Sequence, residues 1–285
     1  MDNPTKLKIS LAHSPDADDA FMFYALTKKL FCQNGFKVKS LLKDIQKLNE
    51  DSDILKHDIQ AISFFAYPFV QDNYQLLSCG GSLGIGYGPV VVGREKITLS
   101  SLKKKVIAVP GNRTTAYLLL KLLLGDFKYE VVPFDEVFNE IKKGKYDFGL
   151  VIHEGQLTYK KHGLKKIVDL GEWWLSKTNL PVPLGGNVIK RSFSMKQKKE
   201  INSLLRKSIA YGLENKKRIL PYISKYAREL KDDQGLVDKF VSMYVNEFTL
   251  DYGITGKLAI RKLFEMAFAE KLIDKIPKLD FVQFI

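Results

Sequence analysis

Apolar runs of strand length alternate with longer runs of helical pattern along most of the chain. LKISLA (7–12) predicts a strand, HSPDADD a polar turn, and AFMFYALTKKLF a helix. Asp18 or Asp19 is the expected cap of that helix, because a short acceptor before an apolar periodic run satisfies orphan backbone donors. FKVKSLL (36–42) predicts a second strand, and KLNEDSDILKH a polar helix. IQAISFFAYPFV (59–70) predicts a third strand running into a helix. This alternation argues for parallel strands joined by helical crossovers.

The stretch GGSLGIGYGPVVVGR (80–94) packs five glycines into the nine residues from Gly80 to Gly88 and leads into a valine-rich strand at Pro89–Val92. Its spacing is not that of a dinucleotide fingerprint, no helix follows, and the lysine and hydroxyl residue of a P-loop are missing. The reading is a close-packed backbone entering a crossover, with glycines that permit positive φ and close approach to a ligand or a second segment. A second set follows: strand VIAVPG (106–111), helix TTAYLLLKLLLG ending at Gly125, strand YEVVPF, helix DEVFNEIKKGKY and strand DFGLVIH. PVPLGGNVIKR (181–191) repeats the glycine-rich crossover pattern, and beyond residue 195 the pattern is helical through Phe268. A chain that leaves one lobe, builds a second and returns predicts lobe 1 from 1–92 with 190–285, and lobe 2 from 93–189. That is an α/β, two-lobed, type II periplasmic-binding-protein-like fold with a hinged cleft and a helical C-terminal region. Its ligand would lie near the carboxyl ends of strands and the N-termini of helices.

Composition adds limits. The chain has 285 residues, 45% hydrophobic and 27% charged, as in a globular protein. No apolar stretch approaches the roughly 20 residues of a bilayer span. MDNPTKLKISLAHSPDADDAF has no long apolar segment and no small-residue cleavage pattern, so neither a signal peptide nor a membrane partner is expected. Cys32 and Cys79 make no disulfide framework and fit buried thiols in a reducing compartment, hence a cytoplasmic location. The net charge of +13 comes mostly from scattered lysines, with short runs such as Lys103-Lys104-Lys105 and no nucleic-acid-binding motif. A solvated lysine surface accounts for it without a nucleic-acid partner. The same field would draw in a small anionic substrate.

Several residues are candidates for chemistry. Thr114-Thr115-Ala116 opens the helix after VIAVPGNR, where hydroxyls cap and free amides make an anion site; the residues alone leave simple capping equally open. Arg113 either clamps a charge there or faces solvent. His153 ends FGLVIH, at the carboxyl end of a strand, with an intrinsic pKa suited to taking a proton near neutrality. A histidine merely hydrogen-bonded at a strand end reads the same way, and Glu154 either orients the ring or points away. Ser14, with Pro15, Asp16, Asp18 and Asp19, lies in the first strand-to-helix turn, where turn chemistry and substrate hydroxyl binding are both open. Ser63 is placed likewise, and His13 stands just before the turn. His57 and His162 are expected to be exposed. No second histidine or cysteine stands at metal-ligand spacing, and no nucleophile elbow is present. Trp173 and Trp174 serve equally as core or as a wall for a flat ring.

In this order, LAHSPDADDAFMFYAL, AISFFAYP, GGSLGIGYGPVVV, PGNRTTAYLLL, GLVIHEGQLTY and PVPLGGNVIKR resemble the 1,4-dihydroxy-6-naphthoate synthases, late enzymes of the futalosine route to menaquinone. The threonine pair and the I-H-E-G-Q stretch are the specific features. The family's opening S-P-C-P-N-D-T-F reads here as Ser14-Pro15-Asp16-Ala17-Asp18-Asp19-Ala20-Phe21, so its middle departs. The resemblance implies a cofactor-independent and metal-independent carbon–carbon lyase that converts cyclic dehypoxanthinyl futalosine to 1,4-dihydroxy-6-naphthoate and dihydroxyacetone. It further implies His153 as proton acceptor, with substrate contacts at Thr115, Ala116, Ala61, Ile62 and Ser63. Two rivals share the fold: the chorismate dehydratase of the same route, and a non-catalytic solute-binding protein. Nothing in the sequence specifies an oligomeric state.

Overall fold

The structure is a computed structural model that describes residues 7–31 and 35–284, so the expected thiol at Cys32 lies outside the described residues. The strands in chain order are β1 (Leu7–His13), β2 (Phe36–Leu42), β3 (Ile59–Ser63), β4 (Tyr74–Leu76), β5 (Ser82–Gly84), β6 (Val90–Gly93), β7 (Val106–Val109), β8 (Lys128–Val131), β9 (Phe148–Val151), β10 (Lys165–Asp169) and β11 (Val182–Lys190). The chain forms two compact units. Unit 1 comprises Met1–Ser82, Gly185–Gly253 and Pro277–Ile285; unit 2 comprises Leu83–Leu184 and Ile254–Ile276.

These limits differ from the expected lobes. β6 belongs to unit 2 because it ladders with β9 and β10. β11 returns early to unit 1 because Gly185 through Ile189 pair with β3. The segment 254–276, expected with the other C-terminal helices, joins unit 2.

In unit 1 the sheet order is β2-β1-β3-β11-β4. β1 runs parallel to β2 and β3, whereas β11 is antiparallel to both β3 and β4. The expectation of parallel strands therefore holds for β1–β3 and gives way at the returning strand. Asp58 pins the entrance of β3: its carboxylate accepts from the Ser10 amide at 2.9 Å and hydroxyl at 2.8 Å, and meets Lys190 at 3.1 Å. The helix Met195–Glu214 starts in a capping box, Ser194 with Gln197, which satisfies two orphan donors reciprocally. It buries Ile201, Leu204, Leu205, Ser208, Ile209 and Gly212, the spacing of one helical face. The first helix is Ala17–Met22; Asp16 takes the N-cap position without a side-chain capping bond, and Asp18 and Asp19 fall in the first turn rather than capping it.

In unit 2 the sheet order is β10-β6-β9-β7-β8, with β7 parallel to β8 and β9, and β6 antiparallel to β9 and β10. Val90, Val92, Ala108, Phe138, Ile141 and Val151 are among the residues of its core. The helix Thr115–Leu124 is nearly all apolar and ends at Gly125, whose φ of +70° needs no Cβ. The glycine-rich stretch packs as its sequence suggests: a Cβ on Gly171 would lie 2.1 Å from the Tyr87 carbonyl, and one on Gly88 2.8 Å from the Gly171 amide. Among the described residues, no helix is long and apolar enough to cross a membrane.

Candidate functional site

In unit 2 three adjacent parallel strands, β8, β7 and β9, send their carboxyl ends to one edge of the sheet. The residues that follow each of them carry the candidate chemistry. After β7 the chain turns through Gly111 to Thr114, the N-cap of the helix Thr115–Leu124. The Thr114 hydroxyl donates to the Gly111 carbonyl at 2.7 Å and accepts from the Tyr117 amide at 3.2 Å. The Thr115 hydroxyl donates to the Leu184 carbonyl at 2.5 Å, tying the first turn of the helix to β11. Both threonine side chains are thus committed to building the turn. The anion-binding capacity of this corner rests on the first-turn amides at Thr115 and Ala116, which no preceding helical carbonyl can accept.

After β9 comes His153, two residues beyond Val151 and so in a turn rather than at the last strand position. Its φ of +52° is in the left-handed region, uncommon for a residue with a Cβ. The Gln156 amide donates to the His153 carbonyl at 3.2 Å, and a four-residue helix, Gly155–Thr158, follows with Glu154 at its N-cap. The imidazole is half-buried, its ring centroid 4.9 Å from that of Phe134 in an edge-on contact. Phe134 lies three residues past β8, so the β8–β7–β9 order brings the two rings together. Glu154 is buried, and Arg113 is half-buried rather than fully solvated.

In unit 1 the equivalent edge is the carboxyl ends of β1 and β3. Ser14 follows β1, and its amide donates to Asp19 at 2.7 Å while its hydroxyl donates to the Asp16 carboxylate. Asp16, Asp18 and Asp19 are all buried, and Arg228 approaches Asp16 at 3.8 Å. Burial, with Asp18 beside it, raises the Asp19 carboxyl well above the usual range. His13, the last residue of β1, is sealed in. Its Nδ1 lies 2.8 Å from the Ser14 carbonyl and its Nε2 2.8 Å from the Ser40 hydroxyl. A carbonyl only accepts, so Nδ1 carries the proton and Nε2 accepts from Ser40. Burial lowers the pKa of His13 to about 4, partly opposed by the Ser14 carbonyl, and keeps it neutral. Ser63 ends β3 between the two ends of one side chain: Asn49 accepts from its amide at 2.9 Å and donates to its hydroxyl at 3.0 Å. Ala61, Ile62 and Ser63 pair with Asn187, Gly186 and Gly185 of β11. The side chain of Ile62 is wholly in the core.

Two expectations fail here. His57 is buried, not exposed, because Asp51 meets its Nε2 at 2.8 Å and the Tyr74 hydroxyl donates to its carbonyl. His162 is half-buried, stacked on Phe138 at 4.3 Å. Trp174 is core, its indole donating to the Pro181 carbonyl at 3.0 Å. Sequence reasoning missed Asn49 and Phe134: the first meets Ser63 because the helix Ile45–Asp53 packs on β3, the second meets His153 through the order of the strands, and neither partner is a neighbour in the chain.

A family model described as menaquinone biosynthesis matches residues 9–269. A 1,4-dihydroxy-6-naphthoate synthase of Thermus thermophilus is 36% identical over 274 residues, 96% of this chain and 99% of the relative. One from Streptomyces coelicolor is 35% identical over 271 residues, 93% and 94% of the two chains. A crystal structure of an Archaeoglobus fulgidus protein superposes with a TM-score of 0.89 at 43% identity, covering 93% of this chain and 98% of that one. The ligand-binding component of an ABC-type import system from Staphylococcus aureus gives 0.74 at 13% identity, covering 98% and 97%. That second likeness shows the fold alone, and with it the two-lobed periplasmic-binding-protein-like class. Matched over nearly its whole length by the family model and by both curated relatives, the chain belongs to the menaquinone-biosynthesis family.

Proposed function

We propose that this chain is a 1,4-dihydroxy-6-naphthoate synthase: a cofactor-independent carbon–carbon lyase acting in the cytoplasm on a small anionic substrate, cyclic dehypoxanthinyl futalosine. The observation that carries the reading is one sheet edge in unit 2. There an imidazole and the N-terminus of a ten-residue helix follow neighbouring parallel strands. An imidazole is a base matched to neutral pH, and a helix N-terminus favours a carboxylate through its amides and its partial positive charge. Both are the groups that this reaction needs.

His153 takes a proton from the bound substrate. The electron pair released breaks a carbon–carbon bond in the retro-aldol sense, the imidazolium of His153 gives its proton back to the carbanionic fragment, dihydroxyacetone departs, and the remaining ring gains aromaticity as 1,4-dihydroxy-6-naphthoate. The amides of Thr115 and Ala116, in the turn shaped by Thr114, hold the carboxylate end of the substrate. Ser14, Ala61, Ile62 and Ser63 are the further proposed contacts, Ile62 through its backbone alone. The Phe134 ring limits rotation of the imidazole, so that the base stays aimed.

The test is to mix the purified protein with cyclic dehypoxanthinyl futalosine and to follow the naphthoate by absorbance and both products by mass. His153→Asn keeps a residue that tolerates the left-handed turn and removes the base, so kcat should fall by about 10²–10⁴ with folding intact. Turnover of chorismate instead, binding without products, or near-normal kcat in His153→Asn would each overturn the assignment.

A further inference from the structure

We infer that the β8 edge of unit 2 is a self-complementary docking strand that pairs two copies of this chain across a two-fold axis at Tyr129. β8 is the outermost strand of its sheet, hydrogen-bonded on one side to β7. All four of its residues are exposed, as is Val106 beside it on β7. An exposed strand edge is a template for another strand, and proteins blunt it with short strands, charged side chains, proline or a bulge. β8 is short and charged, but its two charges are opposite and can answer each other across a two-fold axis. This edge has no proline, and its charges alternate in sign: Lys128, Tyr129, Glu130, Val131.

The backbone sets the register. The Val132 amide donates to the Val109 carbonyl at 2.9 Å, so Val132, Glu130 and Lys128 turn their backbone groups toward β7. By alternation, Tyr129 and Val131 turn theirs outward. In an antiparallel pair, outward-facing residues exchange both bonds with the residue opposite. Centring the two-fold on Tyr129 lets the Tyr129 of each copy bond the Tyr129 of the other. The same register then sets Lys128 against Glu130 twice, and Phe127 against Val131 twice. These are opposite-charge and aromatic–β-branched pairs, the kinds that stabilise neighbouring strands. The Tyr146 hydroxyl donates to Glu130 and holds that carboxylate in place. On the other face, Tyr117, Phe127 and Tyr129 form an aromatic cluster, with centroids 4.9 to 6.1 Å apart, which the axis would bring against its own copy. The chemistry of the edge fits a second copy of this chain, because an identical strand run antiparallel meets every position with its complement.

The experiment is sedimentation velocity on the full chain from about 1 µM to about 1 mM, the range in which small interfaces associate. A reversible monomer–dimer equilibrium is expected. K128E sets carboxylate against carboxylate at both charged positions and should raise the dissociation constant by about tenfold or more. The double variant K128E/E130K restores opposite charges and should recover most of the affinity. Lys128 is outside the proposed reaction machinery, so turnover per chain should be unchanged in K128E. A wild-type chain that stays monomeric throughout overturns the proposal. So does a dimer indifferent to K128E, or a double variant that dimerises no better than K128E.

Discussion

His13 and Asp19 share one buried turn, and burial pushes their proton affinities in opposite directions. His13 is held at about 4 against an ordinary 6.5. The unfolded chain therefore takes up a proton on this side chain near pH 6.5 while the folded chain does not, and stability is lost as pH falls from there toward 4. Asp19 is raised, so the unfolded chain ionises first and stability is lost as pH rises above about 3.8. The two slopes are opposite in sign. In His13→Gln the histidine slope disappears. The stability advantage of the natural chain over that variant should shrink by about 2–3 kcal/mol between about pH 7.5 and about pH 4.5, read from urea midpoints. At His153 the constraint is on the backbone. His153→Val should lose about 1–2 kcal/mol of stability along with the base, because a β-branched residue fits the left-handed region poorly, whereas Asn should not. The position of His153 near the carboxyl end of β9 was legible because it follows the apolar run Phe148–Val151. The seclusion of His13 was not, because Ser40 comes from β2, a strand that meets it only after folding.

Among the elements, those with strong apolar runs were legible: β1, β2, β3, β7, β9, β11 and the helix Thr115–Leu124 stand close to where the pattern puts them. β10 was not. Its sequence, Lys165-Lys166-Ile167-Val168-Asp169, is mostly charged, and its place in the sheet comes from pairing with β6 across a register shift. β4 and β5 are three residues each, too short to show a period. The glycines were read as close-packing positions, and the pair Gly88 and Gly171 bears this out. Two alanine substitutions separate packing from backbone freedom. Gly171→Ala drives a methyl into the Tyr87 backbone and should cost about 2–4 kcal/mol. Gly163→Ala meets nothing within 4 Å and loses only the ease of a φ of +73°, about 1 kcal/mol. Thermal melts of the two variants should rank in that order by a clear margin. Asn49→Ala strands the Ser63 amide and should cost about 1–3 kcal/mol while raising KM if Ser63 touches substrate.

At the scale of the whole molecule, the chain changes units four times, at Ser82, Leu184, Gly253 and Ile276, where the sequence pattern showed two glycine-marked crossings. The later pair was not read as crossings: Gly253 stands at the third with a φ of +57°, but residues 254–276 read as one more stretch of C-terminal helix, and only tertiary packing sends them to unit 2. The final return is firmly tied to unit 1. Asp280 receives a two-pronged Arg191 at 2.7 and 2.9 Å, its carbonyl accepts from Gln75, and Val282 bridges Leu77 while accepting from Asn202. Removing residues 277–285 should therefore lower Tm by about 10 °C or more, since several buried hydrogen bonds and a bidentate ion pair go together. This tie also has a meaning for synthesis. A ribosome makes β1 long before residues 277–285, so unit 1 cannot close its sheet until every segment of unit 2 has been synthesised.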